Sequence, residues 1–253
     1  MLSLVEANAL GHFCYFPKQL GFNVSQLGRL TLINCQLGSS MFNIVWGGLK
    51  DEATKMRAEI NAVISKFNQQ PFAWWVPPSE VSESQRDLMQ QMGFVVEAAE
   101  HAMVCNVMDE LESNSLPDGF QIVATEDAVS LDQFTHVIAS YDNTARSFYK
   151  RLKASDLVGQ ERCYVGIDNG KPVAIGSIFV NRDSAGIFNV ITSEDCQGRG
   201  VGTAIMRHLL EQAKALGAKH VTLSASSDSG FRIYERLGFK VHGAFDCFEW
   251  PGV

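Results

Sequence analysis

A chain of 253 residues holds one large domain or two of ordinary size, and 46% hydrophobic against 19% charged residues describes a packed globular protein, not a disordered one. The net charge of -7 argues against nucleic acid as the main partner, which needs a concentrated basic face, and offers no attraction to anionic membranes. No basic-then-apolar leader opens the sequence and no apolar run approaches the length of a bilayer span, so a cytoplasmic protein is expected. Six cysteines (14, 35, 105, 163, 196 and 247) show neither C-x-x-C pairs nor histidines at metal spacing. Free buried thiols are expected in preference to three disulfides, and no metal is expected.

Residues 1–28 hold a possible opening helix and no legible chemistry. Leu30–Cys35 and Met41–Trp46 read as strands joined through Leu37-Gly38-Ser39-Ser40. Met56, Ile60, Val63, Ile64 and Phe67 form the apolar side of a helix over Asp51–Asn68, with Asp51 and Glu52 suited to its dipole. Phe72–Val76 is a strand closed by Pro77-Pro78, and the Trp74-Trp75 pair packs it or lines a cleft. Ser84–Met92 is a helix ended by Gly93, and Val95–Val107 supplies further strands. Ser113–Gly119 is the expected linker, which divides the chain into 1–116 and 117–253.

The second part opens with a strand at Phe120–Ala124 and two helices near 127–139 and 143–153. Cys163–Asp168 and Pro172–Val180 form a hairpin across Asn169-Gly170, a type I′ turn signal. Arg182-Asp183 turns the chain into a strand over 186–192. A helix over 200–216 carries Val201, Ile205, Leu209, Ala213 and Leu216 on one stripe. A strand at His220–Ala225, a short helix and two strands near 239–243 and 244–250 complete the order.

Between the strand 186–192 and the helix 200–216 lies Gln197-Gly198-Arg199-Gly200-Val201-Gly202-Thr203. Alternate glycines allow positive φ and leave the backbone open to a ligand, and a helix N-terminus follows directly, which favours a phosphate or pyrophosphate. Counting on from Gly198 or Gly200 puts Thr203 or Ile205 where the dinucleotide-binding fingerprint needs its third small residue, so a nucleotide-dependent oxidoreductase fits poorly; no Gly-Lys-Ser/Thr of a P-loop is present. The loop is Q-x-x-G-x-G, and further on comes Tyr234-Glu235-Arg236-Leu237-Gly238-Phe239. The two linked motifs resemble those of the GCN5-related N-acetyltransferase (GNAT) superfamily. The resemblance covers 118–253 well and 30–107 weakly. Strand, helix and Met92-Gly93-Phe94 in the first part mirror strand, helix and Leu237-Gly238-Phe239 in the second. The first part is thus a degenerate GNAT-like domain, with Gly47-Gly48-Leu49-Lys50 in place of the loop and Met89 in place of Tyr234.

The resemblance implies a mixed α+β fold of two tandem domains, each a mostly antiparallel sheet with flanking helices. It implies acetyl-CoA as co-substrate and acetyl transfer to a primary amine of a small molecule or peptide, in a monomer or homodimer. By position, Val190, Ile191 and Thr192 offer backbone groups to the pantetheine arm by strand addition. Gln197, Gly198, Arg199, Gly200, Val201, Gly202 and Thr203 hold the pyrophosphate; Arg199 contacts it directly or stays solvated. Ser227 stands where an asparagine near the cofactor is common. Tyr234 is placed to protonate the departing thiolate, or packs on the core. No Glu, Asp or His lies on strand 186–192, where a general base is common. Glu194, Asp183, Glu249 and His136 are alternatives on other segments, a water chain is another, and no base is assigned. Cys196 lacks a histidine partner in sequence and is read as a small residue beside a helix start. The missing base keeps open a second reading, a non-catalytic acyl-CoA sensor or partner-binding protein.

Overall fold

The computed structural model describes residues 1–50, 52–107 and 118–252. Helix α1 (Leu2–Gln19) is followed by β1 (Asn23–Leu27), β2 (Leu30–Asn34) and β3 (Asn43–Trp46), then α2 (Ala53–Lys66) and β4 (Phe72–Val76). After α3 (Glu83–Gln91) come β5 (Val95–Val96), β6 (Glu100–Asn106) and β7 (Phe120–Ala124), then α4 (Ala128–Tyr141) and α5 (Ala145–Tyr149). A meander of β8 (Glu161–Asp168), β9 (Lys171–Asn181) and β10 (Ser184–Thr192) leads to α6 (Val201–Ala215), β11 (His220–Ala225), α7 (Asp228–Arg236) and β12 (Lys240–Trp250). Among the described residues no helix is long and apolar enough to cross a membrane.

The chain divides into two compact units, and neither is one continuous stretch. The larger contains Ser3–His12 and Met103–Lys240; the smaller contains Phe13–Ala102 and Val241–Val253. The boundary expected at 116/117, and Ser113–Pro117 of the expected linker, lie outside the described residues. The units also differ from the expected 1–116 and 117–253 at three places, each with a physical cause. Met103 and Cys105 are buried in the core of the larger unit, which takes the end of β6 with them. Asp246–Trp250 form an antiparallel ladder with Val76–Phe72, and Phe248 is buried in the core of the smaller unit. Asn8 donates to Thr222 Oγ1 at 2.9 Å and accepts from Ser184 Oγ at 3.2 Å, fastening the start of α1 into the larger unit.

Both units repeat one theme. In the larger, β9 and β10 are antiparallel and β10 and β11 parallel, with α6 as the crossover. In the smaller, β2 and β3 are antiparallel and β3 and β4 parallel, with α2 as the crossover. Each crossover helix covers its own core: Ile205, Leu209 and Met206 of α6 lie with Ile178 and Ala174, and Met56, Ile60 and Val63 of α2 with Phe72 and Trp74. The following helices end alike. Phe94 N–H donates to Met89 O at 3.1 Å and Phe239 N–H to Tyr234 O at 3.0 Å, each past a glycine of positive φ. That is the Schellman closure, which satisfies otherwise orphaned carbonyls.

Several elements fall where the sequence places them. β4, β7 and β11 have the expected bounds, and Asn169 (φ 48°) with Gly170 (φ 83°) forms the expected tight turn between β8 and β9. Helix α2 is shorter at both ends than 51–68, and Asp51 lies outside the described residues. The two strands expected at 239–243 and 244–250 are one strand, β12. The ladder to β4 keeps residues 246–250 extended. Strand β1 was not expected because it is mostly exposed and carries no apolar alternation.

Candidate active site

The site is built where β10 and β11 part. Their parallel register runs from Ser184↔His220 to Gly186↔Thr222, while β10 continues to Thr192 and β11 to Ala225. Along β10 the residues are buried as far as Ile187 and half-buried from Phe188 to Thr192. Against β9 the register slips between Phe188 and Ile191, and Asn189 sits in the bulge at φ 55°. A bulge bends its strand and re-aims side chains, here at the opening of the two strands. Val190, Ile191 and Thr192 therefore form a strand segment freed from β11 but still held by β9 at Ile191↔Ile175 and Thr192↔Ala174.

The glycine loop follows at once. Gly198 (φ 73°) and Gly200 (φ 82°) adopt the left-handed conformation that lets the chain turn into α6, with Gly200 as its N-cap. The first helical rung is Ala204 N–H to Gly200 O, so the ladder leaves Val201, Gly202 and Thr203 as first-turn donors. A Cβ added at Gly202 would meet Thr192 Oγ1 at 3.5 Å and Ile233 Cδ1 at 3.6 Å. Those are ordinary contacts, so the position faces a gap bounded by the end of β10 and by α7.

The remaining expected residues fall into distinct roles. Val201 is buried in the core, which leaves only its backbone for a ligand. Gln197 donates to Thr192 O at 3.2 Å and closes the loop onto β10. Arg199 pairs with Asp168 at 3.0 Å and reaches Cys196 Sγ at 3.5 Å, so its charge is already engaged. Cys196 is buried, as the small-residue reading requires. Ser227 is the N-cap of α7 and accepts from Gly230 N–H at 3.2 Å, a structural duty the sequence reading did not assign. Tyr234 is packed against the core, its ring edge-on to Phe239 at 6.1 Å. A Cβ at Gly230 would lie 3.2 Å from Tyr234 Oη and 3.0 Å from Ser227 Oγ, which puts the phenol beside the first turn of α7.

The four alternative bases do not gather here. Asp183 pairs with Lys219 at 3.4 Å on the surface, and His136 is exposed on α4. Glu249 accepts from Ser40 Oγ at 3.0 Å in the smaller unit, and Glu194 is exposed. A different acid–base group is present instead. His12 Nδ1 is 2.8 Å from Glu161 Oε2, and Glu161 is completely buried. Ser177 donates to Glu161 Oε1 at 2.9 Å, and Asn189 Nδ2 donates to Ser177 Oγ at 3.1 Å. The His12 ring stacks flat on Phe188, centroids 3.9 Å apart. The middle of α1 approaches this closely because residue 11 is a glycine: a Cβ there would strike the ring of Phe179. No local sequence signal joins His12 to Glu161, which lie on segments far apart in the chain.

All six cysteines are free and buried. Among the described residues no group of three or more His, Cys, Asp or Glu is placed to hold a metal. An antiparallel meander, a parted parallel pair and a glycine loop at a helix start together are the fold of the GCN5-related N-acetyltransferases. A solved GCN5-related N-acetyltransferase from Kribbella flavida is similar over 96% of this chain and 95% of its own, with a TM-score of 0.71 at 14% identity. Residues 128–239 match the Acetyltransferase (GNAT) family and form a GNAT domain. An uncharacterized N-acetyltransferase of Methanocaldococcus jannaschii is 33% identical over 105 residues, 38% of this chain and 45% of the relative. The ribosomal protein bS18-alanine N-acetyltransferase of Escherichia coli is 34% identical over 74 residues, 28% of this chain and 50% of the relative. The chain thus spans about half the length of these curated relatives.

Proposed function

We propose that the protein is an acetyl-CoA-dependent N-acetyltransferase whose larger unit carries the reaction, moving an acetyl group to a primary amine in a ternary complex. The observation that carries this reading is the parting of β10 from β11 directly before a left-handed glycine loop and a helix N-terminus. The residues fit the cofactor: Val190–Thr192 offer strand backbone for the amides of a pantetheine arm, and residues 197–203 offer donors for a pyrophosphate. When bound, the cofactor supplies an acetyl thioester, a carbonyl open to attack by a neutral amine. The chain's contribution is to hold the two reactants together, which supplies much of the rate. Strand backbone beside the bulge stabilises charge on the carbonyl oxygen, and the Tyr234 hydroxyl is the proton source for sulfur. Arg199, held by Asp168, contributes little to binding in this reading.

The acceptor class rests on the relatives, one of which acts on an alanine of a ribosomal protein by its name. A peptide with N-terminal alanine, a free amino acid and a polyamine are therefore the first acceptors to try. Release of free CoA in the presence of one of them, with the acetylated amine identified by mass, supports the reading. CoA binding without turnover on any amine would leave a sensor of acyl-CoA instead.

A further inference from the structure

We propose that His12 is the proton acceptor for the amine and that buried Glu161 is the residue that positions it. The inference rests on the acetyltransferase reading above. Glu161 is completely buried, and burying an ionised carboxyl is costly unless partners compensate. Its partners are His12 Nδ1 on one oxygen and Ser177 Oγ on the other. In this reading the carboxylate accepts and the shared proton is on His12 Nδ1. In the neutral ring Nε2 then carries the lone pair, the arrangement in which an orienting acid prepares an imidazole as a base.

The position is the second observation. His12 lies flat on Phe188, the residue before the bulged Asn189, and Asn189 is tied through Ser177 to the same carboxylate. The acid–base pair is therefore fixed to the point where β10 leaves β11. That strand lacks an acidic side chain of its own, and α1 supplies the missing group from far away in sequence. Tyr149 and Cys163 are titratable groups that feel the Glu161 carboxyl. Burial, first, pushes both well above their ordinary values, reinforced at Tyr149 by Cys163 and then Glu161 and at Cys163 by Glu161, so both stay neutral.

The proton balance closes. As the amine forms its C–N bond, His12 Nε2 takes the proton released from nitrogen; as the C–S bond breaks, Tyr234 gives one to sulfur. Solvent returns both residues to their starting states.

The test uses the full chain, with CoA as binding probe and an amine on which the wild type turns over as acceptor. His12→Asn should lower kcat/KM for the amine by about 10² to 10⁴ and remove the acidic limb of its pH profile, with acetyl-CoA affinity unchanged. Added imidazole should restore part of the rate. Glu161→Gln should give a smaller fall, and the double variant should be no slower than His12→Asn, because the two act as one unit. An independent reading comes from histidine NMR: CoA should shift the His12 ring resonances, assigned by their loss in His12→Asn. CoA binding with unmoved His12 resonances and an unchanged pH profile in His12→Asn would overturn the role of His12 alone. No CoA binding at all would overturn the acetyltransferase reading and, with it, this one.

Discussion

The carboxylate of Glu80 accepts the backbone N–H of Gly48 at 2.6 Å. Next to it, Gln85 Oε1 accepts the N–H of Leu49 at 2.7 Å. These amides lie in Gly47-Gly48-Leu49-Lys50, the segment of the smaller unit that corresponds to the glycine loop of the larger. Where the larger unit presents open donors, the smaller one has closed them with its own acidic and amide side chains. A carboxylate stands where a phosphate oxygen would go.

The smaller unit should accordingly bind no acyl-CoA, and calorimetry should give one CoA per chain. Two per chain would show that Glu80 and Gln85 swing aside. Glu80→Ala should not create a second site. It should lower stability by about 1–3 kcal/mol in a denaturant titration, because the buried Gly48 N–H loses its acceptor.

Gly202 provides the sharpest test of the glycine loop. The fold has room for a side chain there, so Gly202→Val should melt near the wild-type temperature. CoA at a hundredfold excess over its dissociation constant should stabilise the wild type by about 2.7 kcal/mol and leave the variant unmoved. An equal shift in both would place the ligand elsewhere.

Tyr234→Phe keeps the ring that packs against the core and removes only the hydroxyl beside the first turn of α7. Acetyl-CoA affinity and melting temperature should hold, while kcat and kcat/KM for the amine fall together by about 10² to 10⁴. An unchanged turnover with chemistry rate-limiting would make water the proton source and return Tyr234 to packing alone.

A pH effect is expected at the start of α4. Asp127 caps this helix by accepting from Ser130 N–H and Oγ–H, both at 2.7 Å, and those bonds hold its carboxyl below the usual range. A depressed value in the folded state means that the cap stabilises above the ordinary carboxylate range and is lost as pH falls through the lowered value. Hydrogen exchange at the first turn of α4 should therefore speed up on acidification. Asp127→Asn, which also caps, should remove that pH dependence. Exchange that stays pH-independent in the wild type beyond the intrinsic rate would refute the role of the carboxylate.

Local chemistry made much of this molecule legible. Pro77-Pro78 bounds β4, Asn169-Gly170 forces the β8–β9 turn, and Gly200 and Gly238 mark the ends of helices by the conformations only glycine adopts freely. The cofactor loop could be read for the same reason, since its residues are contiguous. The acid–base pair could not. His12 and Glu161 meet because Gly11 lets α1 lie against Phe179, a tertiary fact with no periodic trace. Nor could the sequence show that Ser227 is spent on capping α7, or that Arg199 is held by Asp168.

The ladder between β12 and β4 sets a condition on how the chain can be made. During synthesis, β4 emerges with one flank unpartnered, and Asp246–Trp250 reach it only after residues 103–240 have left the ribosome. The first-made half must wait, with apolar Phe72 and Trp74 on a strand still lacking a neighbour, while the second half folds. A nascent chain stalled anywhere in that interval is a natural client for a holding chaperone. Cutting the gene between the codons for residues 107 and 118 would prolong that exposure in one fragment and strip the other of His12.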